Sequence, residues 1–109
     1  MQRVNKITQI LSETVIVPGT AEPSTLASLL ASTLGRICQS VFIYSPLNDG
    51  IYTDNTLPLL WGFSLIAAAT GQPLLPGQFA YIEIDDTQKI YILDPAESGT
   101  QLLVVTVSS

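Results

Sequence analysis

The stretch FAYIEIDDTQKIYIL, residues 79–93, decides the fold. Isoleucine recurs at every second position on both sides of a polar centre, which is typical of two half-buried β-strands joined by a turn. A three-residue loop at 86–88 pairs Ile84 with Ile90 and sets Asp85 against Lys89. A two-residue loop would shift this register by one residue. We prefer the three-residue loop and predict a hairpin of strands 79–84 and 89–93.

In this register the hairpin has two unlike faces. One face carries four isoleucines and is expected to join the core: Ile82, Ile84, Ile90 and Ile92. The other face is rich in aromatic side chains: Phe79, Tyr81, Tyr91 and Leu93. This second face adds apolar surface to that of the core.

Segments of the same alternating type lie elsewhere in the chain. β-Branched residues are frequent from 7 to 17, where the turn signal Pro18-Gly19 follows. Residues 37–44 also alternate, and both of their faces become apolar from Val41 to Tyr44. Further strands are predicted at residues 50–53 and 102–107. The two prolines of the connector 71–77 exclude a helix there.

One helix is predicted, over about residues 24–35. Its apolar stripe has helical spacing and consists of Leu26, Leu29, Leu30 and Leu34. Ser24 is placed to cap the helix and Gly35 to end it. Because a helix of this length is marginal alone, we expect its leucines to dock on a sheet.

Together these elements predict a mainly β protein. We expect a β-sandwich or a jelly-roll-like barrel of seven or eight short strands, with the one short α-helix inserted. The chain of 109 residues is long enough for a single domain, 1–109. Residues 1–11 form either a strand or an extended arm. An immunoglobulin-type sandwich is the alternative, without the usual cysteine pair.

The sequence has little of the chemistry of an enzyme. It contains no histidine, which removes the usual general base near neutral pH and the commonest metal ligand. The single cysteine, Cys38, is expected to be a small apolar side chain in a buried strand. The acidic residues match no calcium-loop spacing and are interpreted as a hydrated turn: Glu83, Asp85, Asp86, Asp94 and Glu97. We expect no enzymatic activity, no cofactor and no metal; a hydrolase that uses Asp85 and Asp86 is an alternative.

Charge and hydropathy argue against two classes of partner. The net charge is −5 and the four basic residues are scattered, whereas nucleic-acid binding needs clustered lysine and arginine. The apolar stretch 57–69 is interrupted by Pro58 and Gly62 and is shorter than the ~20 residues of a membrane span. The first residues lack the apolar run of a secretory signal. We expect neither nucleic acid nor membrane as a partner, and synthesis in a cytoplasm.

The chain has more apolar side chains than one small core absorbs. Hydrophobic residues make up 47% of the sequence and charged residues only 12%, against roughly 25% charged in typical soluble domains. Exposed apolar patches usually mark contacts between proteins. We therefore predict a closed homo-oligomer or a subunit docked on a lattice; burial in a larger host protein is the alternative. The candidate interface residues are Tyr44, Leu59, Trp61, Phe63, Phe79, Tyr81 and Tyr91.

The order of these segments resembles a known group of proteins. The resemblance covers residues 41–107 and is carried by VFIY (41–44), NDG (48–50), GQPLLPGQ (71–78), the DD…KIYI pattern (85–92), Gly99 and a closing apolar strand. It is to the small β-sandwich and jelly-roll virion proteins of tailed bacteriophages, which include capsid decoration (cement) proteins and fibre components. The predicted helix and the stretch 57–69 depart from that pattern.

The resemblance implies a structural function without catalysis. It implies a capsid decoration protein that forms a homo-oligomer, a trimer, and binds the major capsid protein on the capsid exterior after synthesis in the host cytoplasm. A fibre or adhesin-type module is the alternative. In that case Tyr52 and Trp61 would form a platform for a surface glycan.

Overall fold

The computed structural model describes residues 10–31, 37–47, 55–64 and 71–109. Within them the chain is mainly β, with two antiparallel sheets of four strands and one short helix. This arrangement confirms the predicted small β-sandwich. No helix in the described part of the chain is long and apolar enough to cross a membrane.

Eight strands and one helix follow one another along the described residues. They are β1 (Ile10–Ile16), β2 (Ser24–Thr25), α1 (Leu26–Leu29), β3 (Ser40–Tyr44), β4 (Leu59–Gly62), β5 (Gln72–Leu74), β6 (Phe79–Ile82), β7 (Tyr91–Leu93) and β8 (Leu102–Ser108). A three-residue 3-10 turn, Thr87–Lys89, precedes β7.

The strands divide into two sheets. The first sheet has the order β1-β8-β3-β6 and the second has the order β2-β7-β4-β5. Every pairing is antiparallel. Strands β1 and β6 are therefore the edges of the first sheet, and β2 and β5 are the edges of the second.

The core lies between the two sheets and is formed by alternate residues of their strands. In β8 the burial alternates strictly, because Leu103, Val105 and Val107 point inward and are nearly inaccessible. Inward residues of the other strands, with α1, complete the core: Val15, Leu26, Val41, Ile43, Leu59, Leu74, Ile82 and Ile92. Burial of these side chains, at roughly 1.5–3 kcal/mol for each large one, is the main stabilising contribution to the fold.

The predicted hairpin is wrong, because its two strands belong to different sheets. Strand β6 pairs with β3 in the first sheet, and β7 pairs with β2 and β4 in the second. Between them, Asp86 accepts a hydrogen bond from the Gln88 N–H (2.8 Å) and caps the 3-10 turn that redirects the chain. The isoleucine face is nevertheless core, since Ile82, Ile90 and Ile92 are buried. The predicted aromatic face is divided between the two outer faces of the sandwich.

The helix is shorter than predicted. It has four residues, Thr25 caps it by accepting a hydrogen bond from the Ser28 N–H (3.3 Å), and Leu30 is already extended. Ser24, the predicted cap, lies in β2 instead and pairs with Ile92 of β7. Two tertiary hydrogen bonds flank α1, from Leu26 N–H to the Ile90 carbonyl (2.8 Å) and from Ala31 N–H to the Glu13 carboxylate (2.8 Å). The Leu26 N–H would have no partner within a helix, whereas the bond from Ala31 replaces the one that a longer helix would make to the carbonyl of residue 27.

The remaining predicted segments lie wholly, partly or not at all within the described residues. The first predicted strand is present as β1 from residue 10, and the last as β8. The connector 71–77 contains a short strand, β5, with Pro73 on a sheet edge where proline is tolerated. After it, the Gln78 N–H donates to the Leu75 carbonyl (2.9 Å) and Gly77 has a φ of 87°, as a type II turn with proline at its second position requires. The predicted strand 50–53, Leu34, Gly35 and residues 1–9 lie outside the described residues.

Candidate protein interface

Four aromatic side chains lie together on the outer face of the first sheet. Phe42 and Tyr44 project from β3, and Phe79 and Tyr81 project from its neighbour β6. The register places Tyr44 opposite Phe79 and Phe42 opposite Tyr81. Phe79 is 63% exposed and Tyr81 is 62% exposed. We call these four side chains the aromatic surface.

The aromatic surface has a defined geometry because the opposite face of β3 is anchored in the core. Val41 and Ile43 alternate with the two aromatic residues of β3 and are completely buried in the core. Above them the rings of Phe42 and Phe79 stack, with centroids 5.0 Å apart and planes inclined by 24°. Offset stacking of this kind is the favoured arrangement of aromatic pairs. The surface is therefore a preformed apolar patch.

The whole outer face of the first sheet lacks charge. Strand alternation assigns 10, 12, 14 and 16 of β1 and the even positions of β8 to this face, and none of these residues is charged. Ser12 and Thr106 hydrogen-bond to one another there (3.3 Å), and Ile16 is 61% exposed. Glu13, the one charged residue of β1, points inward and holds Ala31. The outward residues of these strands therefore present no charge that a second apolar surface would have to desolvate.

The predicted interface residues fall in four places. Tyr44, Phe79 and Tyr81 belong to the aromatic surface. Leu59 is 1% exposed and contributes to the core, which removes it from any exposed surface. Trp61, half-buried at the edge of the core, meets the exposed Phe63 edge to face at 5.4 Å. Tyr91 lies on the outer face of the second sheet and packs against a small separate apolar cluster.

Phe42 belongs to the aromatic surface but is not among the predicted interface residues. The signal was present, because Phe42 and Tyr44 share one face of an alternating strand. The pattern does not show which strand lies beside β3. The pairing of β3 with β6 brings Phe42 beside Phe79, and that pairing joins residues far apart in the sequence.

A groove runs between the edge strands β5 and β6. Its volume is about 420 Å³, and the side chains that give it chemical character are Trp61, Gln72, Gln78 and Phe79. The Gln78 side-chain oxygen is already used, since it accepts a hydrogen bond from the Leu75 N–H (3.0 Å). Gln72 is exposed at the rim. The groove thus combines two aromatic rings with an accessible amide.

Cys38 is buried next to β3, as expected for a small apolar side chain. Its Sγ donates a hydrogen bond to the Ile84 carbonyl oxygen (3.1 Å). Burial raises the pKa of this thiol, and the negative charges of Asp86 and Asp85 raise it further. A protonated thiol is a poor nucleophile. The cavity of about 570 Å³ beside it is lined partly by Glu83 and Asp85.

Asp85 and Asp86, between β6 and β7, have partners within the turn. Asp85 forms an exposed ion pair with Lys89, with Nζ and Oδ1 2.9 Å apart. The hydrogen bond from Lys89 and its charge lower the pKa of Asp85, and the same contact raises the pKa of Lys89. The predicted apposition of these two residues is confirmed, although a 3-10 turn brings it about instead of a hairpin loop.

Asp94 is fully buried and organises the loop between β7 and β8, so its interpretation as part of a hydrated turn is wrong. Its carboxylate accepts hydrogen bonds from the N–H groups of Ala96, Ser98 and Gly99 at 3.0–3.2 Å and from the Ser98 hydroxyl at 2.6 Å. In the same loop Glu97 has a positive φ of 53°. Among the described residues, no group of three or more cysteine, aspartate or glutamate side chains could hold a metal ion.

The aromatic surface is therefore the feature of the described residues with the clearest capacity to bind a partner. It is apolar, preformed, uncharged and accessible. Comparisons of the chain with protein-family models, with curated proteins and with solved structures give no match.

Proposed function

We propose that this chain is a structural assembly protein that binds other protein subunits, including copies of itself, through the aromatic surface. The observation that carries the proposal is the exposure of Phe79 (63%) and Tyr81 (62%) on an outer face whose strand residues carry no charge. Exposed apolar patches rimmed by polar residues mark protein interaction sites.

The energetics support association at this face. Complete burial of one large apolar side chain contributes ~1.5–3 kcal/mol, and aromatic residues are enriched among the residues that dominate binding. Phe42 already stacks on the exposed ring of Phe79, so Phe79 has less side-chain freedom to lose on binding. The described strand residues of this outer face carry no charge, so no like charges on them oppose one another when two such faces meet.

In its specific form, the proposal is a capsid decoration (cement) protein on the exterior of a phage head. The resemblance of residues 41–107 to small virion proteins supports it, together with the sandwich fold and the uncharged outer face. Contacts spread over several major capsid protein subunits would resist the outward pressure of packaged DNA. The resemblance implies a trimer. Virion location, non-enzymatic function and the capsid partner all belong to this proposal.

Co-sedimentation with capsids tests the specific form. The chain is mixed with assembled capsids encoded by the same genome, and separately with unassembled capsid protein. We expect it to sediment with the assembled particles alone, and we expect Phe79→Ser to abolish this binding. Ile16→Ser is the matched control, because Ile16 is equally exposed (61%) on the same face but on the opposite edge strand. Failure of the unaltered chain to bind particles would remove the capsid assignment.

The groove between β5 and β6 favours a second candidate, a fibre or adhesin-type module that binds a glycan. Trp61 and Phe79 line it, and aromatic rings together with amides are the groups that stack on and hydrogen-bond to sugars. Specific binding on a glycan array, lost in Gln72→Ala at unchanged stability, would support this candidate. Gln72 serves better than Trp61 because it is exposed and its removal leaves the core intact. Tyr52, the other predicted platform residue, lies outside the described residues.

A further inference from the structure

Three of the four sheet edges in the described residues carry features that discourage pairing with another chain. Strand β2 has only two residues, and β5 contains Pro73, which cannot donate a backbone hydrogen bond. Strand β1 carries the inward-pointing charge of Glu13. Short edges, prolines and inward charges are the devices by which proteins prevent edge-to-edge association.

Strand β6 has none of these protective features. Its four residues, FAYI, contain neither a charge nor a proline, and Gly77 and Gln78, which precede it, are uncharged too. Two of its side chains are the exposed aromatic residues Phe79 and Tyr81. An exposed, uncharged, apolar edge of this kind is a template for a further strand.

The hydrogen-bond pattern shows which backbone groups of β6 face away from the sheet. The Ser45 N–H donates to the Gln78 carbonyl oxygen (2.9 Å), in register with the pairing of β3 and β6. In an antiparallel pair the hydrogen-bonded positions alternate, so Ala80 and Ile82 direct their backbone groups toward β3. The N–H and C=O groups of Phe79 and Tyr81 therefore point outward from the edge.

We propose that β6 pairs in antiparallel register with β6 of a second copy of this chain, centred on Ala80. Phe79 of each copy then lies opposite Tyr81 of the other. Each such pair exchanges two backbone hydrogen bonds, because all four groups point outward. The two first sheets become one continuous sheet, and the two aromatic surfaces become one.

Charge favours the antiparallel over the parallel orientation of two copies. The acidic segments 83–86 of the two copies lie at opposite ends of a contact centred on Ala80. Each Glu83 lies three positions from that centre, so at about 3.3 Å per residue the two Glu83 residues are about 20 Å apart, which exceeds the Debye length of ~8–10 Å in physiological salt. A parallel arrangement would bring the two acidic segments side by side.

This inference rests on the self-association part of the proposed function and specifies its geometry. A two-fold contact closes after two copies, so it predicts a dimer or an assembly built from dimers. The oligomeric state expected from edge pairing therefore differs from the trimer that the resemblance implies.

Amide hydrogen exchange on the unaltered chain tests the pairing. The amides of Phe79 and Tyr81 should exchange about tenfold or more slowly at high protein concentration than at low concentration, because pairing shields them. The amides of Ala80 and Ile82 are the internal controls and should be protected at both concentrations. If the chain associates while the Phe79 and Tyr81 amides remain unprotected, edge pairing is overturned but the aromatic surface can still be the interface. If the chain stays monomeric, edge pairing and the self-association part of the proposed function are both overturned, whereas binding to capsids is decided separately by co-sedimentation.

Disulfide trapping tests the register in a Cys38→Ala background. Chains carrying Phe79→Cys are mixed with isotope-labelled chains carrying Tyr81→Cys. Opposed Cα atoms in a hydrogen-bonded pair lie about 5.5 Å apart, within disulfide range, whereas diagonal positions lie ~7–8 Å apart. We expect the mixed disulfide in excess over both like pairs. A statistical mixture, or equal trapping by the matched edge variant Ile16→Cys, would contradict the register.

Discussion

The rings of Phe42 and Phe79 stack across neighbouring strands, with centroids 5.0 Å apart, although Phe79 remains 63% exposed. One ring is half-buried against the sheet and the other is presented to the solvent on top of it. A side chain that is both ordered and exposed contributes to binding at a lower entropic cost than one that must be ordered first. This relationship links the interior of the first sheet to the proposed interface.

Removal of the supporting ring should weaken both folding and association. We expect Phe42→Leu to lower the free energy of unfolding by about 1 kcal/mol, the usual contribution of an aromatic pair beyond its buried area. Urea denaturation measures that change, and sedimentation velocity measures the weaker self-association that should accompany it. Thr14→Ser, an exposed polar change on the same face, should alter neither. Unchanged association of Phe42→Leu would show that Phe79 does not depend on this support.

Asp94 should be one of the most sensitive positions outside the apolar core. We expect Asp94→Ala to destabilise the fold by about 3 kcal/mol, because hydrogen bonds to a buried charge contribute about 1.5–3 kcal/mol and unpaired buried donors add to the loss. Asp94→Asn should cost less, since one oxygen can still accept three of the four bonds. Urea denaturation measures both. Glu22→Ala removes the same charge from an exposed site, and a loss as large as that of Asp94→Ala would contradict this account.

Glu97 should be a position where a substitution stabilises the protein. Its φ of 53° is left-handed, a conformation that costs a residue with a side chain about 1–2 kcal/mol and glycine almost nothing. We expect Glu97→Gly to be more stable than Glu97→Ala by about 1 kcal/mol in thermal or urea denaturation. Both variants lose the same charge, so the comparison isolates the backbone. Equal stability of the two would show that the loop does not hold this conformation.

The reactivity of Cys38 should depend on pH in a way that reports its burial. Burial and the nearby Asp86 and Asp85 charges raise the pKa of the thiol, so labelling by a thiol reagent should begin at higher pH in the folded chain than in urea. Because the pKa of this thiol is higher in the folded than in the unfolded chain, the stability linked to it is complete below the unfolded-state pKa. It is then lost as the pH rises through the folded-state pKa. Rapid labelling of the folded chain near neutral pH would contradict the buried position.

Alternation in the sequence correctly identified the core, because side-chain period depends only on the local strand. Ile82, Ile90 and Ile92 point inward whether their strands form a hairpin or lie in opposite sheets. Alternation could not reveal which strands pair. The cap by Asp86 and the placement of β6 beside β3 depend on contacts across the whole chain.

Buried polar groups were the least predictable part of the structure. Asn55 is 1% exposed, and its side-chain amide donates to the Ser45 hydroxyl and to the Leu102 carbonyl oxygen, each at 2.6 Å. In the sequence it is an asparagine among loop residues, where exposure is the ordinary expectation. Asp94, predicted to lie in a hydrated turn, is likewise a polar loop residue that proves to be buried. Such residues are recognised only when their partners from distant segments are in place.

Sedimentation velocity of the unaltered chain tests the central claim most directly, over a series from about 1 µM to about 100 µM. The account predicts that the average mass rises with concentration toward that of a dimer. It also predicts that Phe79→Ser combined with Tyr81→Ser keeps the chain monomeric, while Ile16→Ser associates as the unaltered chain does. A monomer throughout the series, with the fold intact by circular dichroism, would contradict the assignment of the aromatic surface as a self-association interface.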